Sequence, residues 1–518
     1  MKQLFPVLFL LYLAPLTLTA QENIQPLSIE DAFRVAKQQN PSIRRGLEQI
    51  KQKEYESARK NGLHFPQVSL SAKAVAMSDN LELDLTPVRD AITPLYTSLG
   101  NYGVFSGVLN PDPNTNPVMP VLPDNVSTQI VRQKLLEGGN EIANANWVET
   151  IQDKNFASVS ADFLWPLYAG GKINNAGKAA KVEIKISEEE LRNAEGELLT
   201  EIAARYYGLT LAEQVEQVRE QMYLAMEKHY ADAKELFDNG IIARVELLHS
   251  QVSKNEAERE LKKAKHDIEI VRAGLDASLS YDSAVFVQPV NHLFMNTDLP
   301  ETYYWLSNAE LHNPLLQQIE GKKELSSIKK KADQGDYFPT VAMMGTYNLA
   351  DKNYSPYMPD WLVGVGLKWT VFDGLDRQNK IKADEALKLQ ATFAGEKARA
   401  DIKAYIVKLT EELEGQKEQK TELDSTLELA NEYASSIEQA FNEGLATSTS
   451  VVEAHSKVAQ VKALRLKVLY DYDVTLARLF QIAGIPEEYF SYTSGNNTIT
   501  GSIESQAIKL QNHQENQR

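Results

Sequence analysis

Proline is the residue least tolerated inside a helix, where it costs about 3 kcal/mol or more, and its distribution constrains this chain more than any other feature. Twenty prolines occur in 518 residues. None lies between Leu167 and Gln288 or between Asp360 and Ile485, whereas seven crowd between Pro87 and Pro123. Each clear window has room for two long helices and one turn. Within them Ala, Glu, Lys, Leu and Gln dominate, as in EEELRNAEGELLTEIAARYYGLTLAEQVEQVREQ, with apolar residues recurring at three and four. A helix from about Lys172 to Phe237 holds 66 residues. At 1.5 Å per residue it reaches roughly 100 Å, far longer than a globular core needs.

The same landmarks occur twice. Asn40-Pro41 recurs as Asn313-Pro314, Gly62 as Gly335 and Phe65-Pro66 as Phe338-Pro339, all at an offset of 273. Trp165 pairs with Trp369, Gly170 with Gly374, Asn175 with Asn379, Phe237 with Phe441, Gly240 with Gly444, Asp267 with Asp471 and Leu275 with Leu479, all at an offset of 204. The chain is therefore two copies of one unit. The first carries 69 extra residues between Pro66 and Trp165, and these contain the proline cluster. The reading places a first repeat over 21–302 and a second over 303–485. A polar tail follows from Pro486 to Arg518, expected to lie loosely because its few aliphatic residues make no sustained apolar face.

Each copy also holds two runs of period two, the mark of a strand whose faces meet different surroundings. Val68, Leu70, Ala72, Ala74 and Ala76 alternate with Gln67, Ser69, Ser71 and Lys73; Ala157, Val159, Ala161, Phe163 and Trp165 alternate with Ser158, Ser160, Asp162 and Leu164. In the second copy, Val341, Met343, Gly345, Tyr347 and Leu349 are answered by Trp361, Val363, Val365, Leu367 and Trp369. The expected strands are about 67–77, 156–168, 339–349 and 361–372, with helical hairpins over about 172–281 and 375–484. These runs match the 9 to 11 residues that cross a bilayer as tilted strands. Four strands cannot close a barrel and open edges are not tolerated in lipid, so several chains must share one barrel. The insertion, about 78–155, is then expected outside the cell, with a short helix in LTPVRDAITPLYTSLGNYGVF. Phe65-Pro66 and Phe338-Pro339 mark where helix gives way to strand, and Pro166, Gly170 and Gly374 where strand turns back into helix.

Composition removes most other functions. Lys and Arg total 54 against 71 for Asp and Glu, a net charge of −17 that argues against a phosphate backbone as partner. With no cysteine there is no disulfide, thiolate metal site or lipidated N-terminal cysteine. The segment MKQLFPVLFLLYLAPLTLTA reads as a secretory signal over 1–20. AGGKINNAGKAAK lacks the glycine and the Ser or Thr of a phosphate loop, the eight histidines show no HExxH, and no nucleophile elbow is present. No catalytic residue, metal site or cofactor is expected.

From Leu27 to about Gly484 the chain resembles the TolC family of outer-membrane efflux and secretion channels. LSIEDAFRVAKQQNPSI opens the first repeat, FPQVSLSA and FPTVAMMG enter the strands, and WPLYAGGK and WTVFDGLDR stand at the strand-to-helix junctions. FDNGIIARVELLHSQ and FNEGLATSTSVVEAH form the hairpin turns, and DYDVTLARLFQIAG lies near the end. The resemblance implies a mostly helical α+β fold in which a homotrimer builds a 12-stranded β-barrel continued by an α-helical barrel. It implies an outer-membrane protein of a Gram-negative cell that reaches into the periplasm and is a duct, not an enzyme. Its partners would be outer-membrane lipid, a periplasmic adaptor (membrane fusion) protein and an inner-membrane pump of RND or ABC type, and no nucleic acid.

In that family the turn between the two long helices lies at the periplasmic end, where the tunnel narrows and the adaptor docks. The resemblance therefore implies adaptor-docking tips at Gly240, Glu246 and Gly444, and a periplasmic gate at Glu453, Ser450 and Phe441. The family pattern has a tyrosine three residues before the second glycine, an arginine two after it, and acidic residues six and nine after it. This chain offers Phe441, Ala446, Ser450 and Glu453 there, so only the last acidic position matches. The function implied is passive exit from a tripartite efflux system. A type I protein-secretion duct shares the fold, and a trimeric coiled-coil stalk is the non-channel alternative, against which the four amphipathic strands speak.

Overall fold

The computed structural model describes residues 23–280, 285–493 and 498–500; the expected leader, 1–20, and the tail beyond 500 lie outside them. In chain order the elements are β1 (Asn23–Leu27), α1 (Ile29–Gln39), α2 (Pro41–Gly62), β2 (Gln67–Ala76), β3 (Leu81–Asp84), α3 (Thr86–Tyr102), α4 (Asp124–Asn144), β4 (Val148–Gln152), β5 (Asn155–Ala169), α5 (Lys172–Asp238) and α6 (Arg244–Leu279). There follow β6 (Val285–Pro289), β7 (Phe294–Asn296), α7 (Thr302–His312), α8 (Pro314–Gln334), β8 (Thr340–Lys352), β9 (Trp361–Lys368), α9 (Asp376–Asn442), α10 (Ser448–Ala483), α11 (Tyr489–Tyr492) and β10 (Thr498–Thr500). Helices α5 and α9 are each 67 residues long. Among the described residues no helix is long and apolar enough to cross a membrane.

The described residues form two compact units: one of residues 61–173 and 334–374, and one of the described residues before 61, within 174–333 and after 374. The first is a four-stranded antiparallel sheet in the order β2-β5-β8-β9. Its register puts like faces together. Val68 stands opposite Phe163, Phe163 opposite Gly345 and Gly345 opposite Val363; one level on, Leu70, Ala161 and Tyr347 lead to Trp361 by the same logic. The reverse face carries Ser71, Ser160, Asp162 and Thr346, where Thr346 Oγ1 donates to Asp162 at 2.8 Å and the two serine hydroxyls lie 2.8 Å apart. Period two in the sequence has become one apolar and one polar sheet face.

The repeat holds at the level of single residue pairs. In the first copy Gln67 faces Leu164 and Leu70 faces Ala161; adding 273 and 204 gives Thr340 facing Lys368 and Met343 facing Val365, which are the pairs observed. β9 stops at Lys368, so Trp369 lies beyond the strand. Between β2 and β5 the insertion folds as a hairpin, β3 against β4, carrying the helix pair α3 and α4. The sequence led to one helix there, and α4 adds a second.

The second unit holds the main core. Tyr206, Tyr207, Phe294, Tyr472, Phe480, Trp305 and Tyr489 are fully buried and meet edge to face, for example Trp305 on Phe480 at 4.9 Å between ring centres. Two small sheets close over it, β1 parallel to β6 and β7 antiparallel to β10. The Tyr206 hydroxyl ties the chain together: it donates to Leu27 O at 2.8 Å and accepts the N–H groups of Val290 and Asn291 at 3.0 and 2.9 Å. Burial holds the Asp473 carboxyl, which accepts the Phe294 N–H, well above the usual carboxylate range. The segment after Pro486 departs from the loose tail expected. Tyr489 is buried against Phe480, Phe490 packs on Phe33, and β10 pairs with β7. Three aromatic residues within four positions anchor it, a signal too short to register as periodicity.

Tyr206→Phe keeps the ring and removes the hydroxyl, leaving two backbone donors without their acceptor. A loss of about 1 to 3 kcal/mol is expected, read as a lowered denaturant midpoint for the loss of helical circular dichroism. An unchanged midpoint would show that water replaces the hydroxyl.

Candidate functional site

Both hairpin turns are built by the same local chemistry. Gly240 and Gly444 take φ of +72° and +74°, a region that glycine enters without steric cost. In the first turn the N–H groups of Gly240 and Ile241 donate back to Phe237 and Leu236, and in the second those of Gly444 and Leu445 donate to Phe441 and Ala440. This double bond closes α5 and α9 alike. The outgoing helices start differently: Thr447 caps α10 by accepting the Ser450 N–H at 3.2 Å, whereas Ala243 provides no side-chain cap for α6.

The two tips are locked together. Glu246 of α6 accepts the backbone N–H of Ser448, the first residue of α10, at 2.7 Å, placing a carboxylate where the helix dipole favours negative charge. It is therefore a half-buried cap on the other hairpin and not a free surface acid. The Ser448 hydroxyl lies 2.7 Å from His229 Nε2 and 3.3 Å from His249 Nδ1. Phe441, expected with the gate, is instead fully buried: its ring meets His229 edge to face at 4.7 Å and packs with Ala233 and Val451. An apolar ring at the interface of two hairpins is held there by burial. Ser450 is half-buried in the α10 cap, and Glu453, one turn on, is exposed. The sequence reading missed His229, Ser448 and the pair of His455 and Glu438, 3.8 Å apart, because each depends on a contact some 200 residues away along the chain or on a facing helix.

At the strand ends, Pro66 and Pro339 immediately precede β2 and β8. Gly170 and Gly374 take φ of +60° and +68° just before α5 and α9. Gly170 also approaches Gly335 so closely that a Cβ would lie 2.2 Å from the Gly335 carbonyl oxygen. Pro166 departs from the junction role expected of it: it lies inside β5, where the register against β8 slips between Pro166 and Tyr168, a place that tolerates a residue with no N–H. Two further residues complete each junction. Trp165 Nε1 donates to His64 O at 2.9 Å, and Trp369 Nε1 donates to Tyr337 O at 3.2 Å. These are equivalent bonds in the two repeats, each reaching the carbonyl two residues before the proline. Among the described residues no group of His, Asp or Glu could hold a metal ion.

A family model described as "Outer membrane efflux protein" matches residues 132–280 and 305–485. A membrane protein from Pseudomonas aeruginosa shares the fold with a TM-score of 0.66 at 14% identity over 88% of this chain and 90% of that one. The outer membrane protein VceC from Vibrio cholerae gives 0.62 at 13% identity over 88% and 96%. The Campylobacter jejuni CmeC outer membrane channel gives 0.61 at 12% identity over 88% and 86%. No curated protein sequence matches.

The histidine lock has a calculable pH response. Burial, followed by the neighbouring His455, pushes His229 down to about 4, with Glu438 opposing and His249 reinforcing. A histidine whose folded pKa lies below its unfolded value stabilises the fold above the unfolded pKa, and that stability drains away as pH falls from about 6.5 through about 4. Amide exchange at the tips should accelerate over that window, with a loss on the order of 2 to 3 kcal/mol. His229→Gln should flatten the acid dependence; an identical profile in the variant would assign the acid response to other groups.

Proposed function

The chain belongs to the outer membrane efflux protein family, and on that premise we propose that it is the exit channel of a tripartite efflux system. On this reading the chain lies in the outer membrane of a Gram-negative bacterium, assembles as a homotrimer and works with a periplasmic adaptor and an inner-membrane pump. In the reading proposed here three copies pool their strands in one 12-stranded barrel, and substrates pass through it without chemistry. The sheet carries this reading. One face is apolar and the other polar, as a wall between lipid and water requires, and β2 and β9 are left as edges that hydrocarbon does not accept.

The repeat also supplies the register between copies. β9 corresponds to β5 and β2 to β8, so β9 of one copy pairs with β2 of the next as β5 pairs with β8. Asp162 opposite Thr346 becomes Gly366 opposite Lys73 of the next copy, and Phe163 opposite Gly345 becomes Leu367 opposite Ala72. Lys73 meets a glycine on the polar face, and apolar meets apolar on the other. Because the chain has no cysteine, Lys73→Cys combined with Gly366→Cys should give covalent dimers and trimers on oxidation, and neither alone should. A native-gel trimer without that cross-link would overturn the register; absence of the trimer would overturn the channel.

Glu453 and Ser450 are assigned to the periplasmic constriction, and Gly240, Gly444 and the α6 start near Glu246 to adaptor docking. Three Glu453 carboxylates around one axis repel by about 1 to 4 kcal/mol per pair, depending on the dielectric, and attract cations. Conductance in a planar bilayer should be cation-selective and blocked by di- or trivalent cations from the periplasmic side. Glu453→Gln should weaken the block and leave the trimer intact, since the side chain is exposed. Unchanged block and selectivity would remove Glu453 from the pore.

A further inference from the structure

Helix α3 of the insertion has two apolar sides and a partner on one. Towards α4 it presents Tyr96, which packs on Gly139, and Gly100, which lies under Leu136. About a quarter of a turn away run Val88, Ile92, Leu95, Leu99 and Tyr102, spaced four, three, four and three residues apart. Ile92 is half-buried, but Val88 is 45%, Leu95 57%, Leu99 39% and Tyr102 82% exposed. A strict repeat of seven is the seam of helices that pack side by side. The helix has only two charged residues, Arg89 and Asp90, and they pair with each other at 2.8 Å, so no charge on the stripe repels an identical helix.

We propose that this stripe is covered by the same stripe of the two other copies of the chain, in a three-helix contact above the outer end of the barrel; the inference rests on the trimeric reading above. What identifies the occupant is continuity with the sheet edge. β2 is an edge strand that on this reading requires another copy, and nine residues separate its end at Ala76 from the start of α3 at Thr86. Sheet and helix belong to one compact unit. Threefold symmetry then brings three α3 helices around one axis at the same level and in the same direction. In that arrangement each stripe residue meets its own counterpart, which a seam of a single repeat allows. The insertion thus acts as a second trimer contact, separate from the barrel seams.

The cysteine-free sequence makes the test direct. Leu95→Cys and Tyr102→Cys, each alone in the full-length protein in outer membranes, should be joined between copies by a short bismaleimide and run as covalent dimers on denaturing gels. Thr97→Cys, exposed on the opposite side of α3, should stay monomeric. Adding Leu99→Glu to Leu95→Cys should abolish the covalent band while the native-gel trimer persists. A native trimer that cross-links at neither Leu95 nor Tyr102, or equally at Thr97, overturns the stripe contact and leaves the channel reading standing. Failure to form any trimer, or to cross-link the barrel seam, overturns both.

Discussion

A strand edge presents a row of N–H and C=O groups that water can satisfy and hydrocarbon cannot. Everything about the sheet unit follows from that constraint. Four strands satisfy three ladders internally and leave β2 and β9 open. A chain with an apolar sheet face cannot withdraw those edges into a core, since the unit has no helix layer packed on that face to hide them. What the sequence offers is repetition: two copies of a hairpin whose register is the same to the residue, so that in the proposed ring β9 of one copy fits beside β2 of the next.

Passing from strand to helix is the second demand. A ladder with partners on each side must become a helix that satisfies its own backbone, within two or three residues. Glycines with positive φ make the bend, and the indole of Trp165 or Trp369 takes up a carbonyl at the opposite helix-to-strand crossing. The tryptophan is suited to this because a large apolar ring that can face its surroundings also donates a single hydrogen bond through its indole N–H.

What could be read from the sequence was whatever depends on spacing. The proline-free windows appear as α5 with α6 and α9 with α10, the period-two runs appear as β2, β5, β8 and β9, and the offsets of 273 and 204 hold in the strand pairs. What could not be read depends on partners distant in sequence. β1 finds β6 some 260 residues away, and β7 finds β10 some 200 away; strands of three to five residues carry no period of their own. In the sequence Glu246 belongs to a hairpin tip expected to dock an adaptor, and only the meeting of two hairpins makes it a cap for Ser448. Phe441 stood where the family keeps a tyrosine, but without a hydroxyl nothing draws the ring towards water, and it is buried.

One junction contact separates the two repeats. Lys172 forms an ion pair with Asp336 where β5 and β8 leave the sheet, and the equivalent positions at the β9 to β2 seam are Asp376 and Leu63, which cannot form one. A ring closed on the proposed register would therefore alternate three reinforced joints within chains and three plain joints between them. Its sixfold appearance would conceal a threefold pattern, in which every seam between copies lacks the ion pair that each chain keeps between β5 and β8.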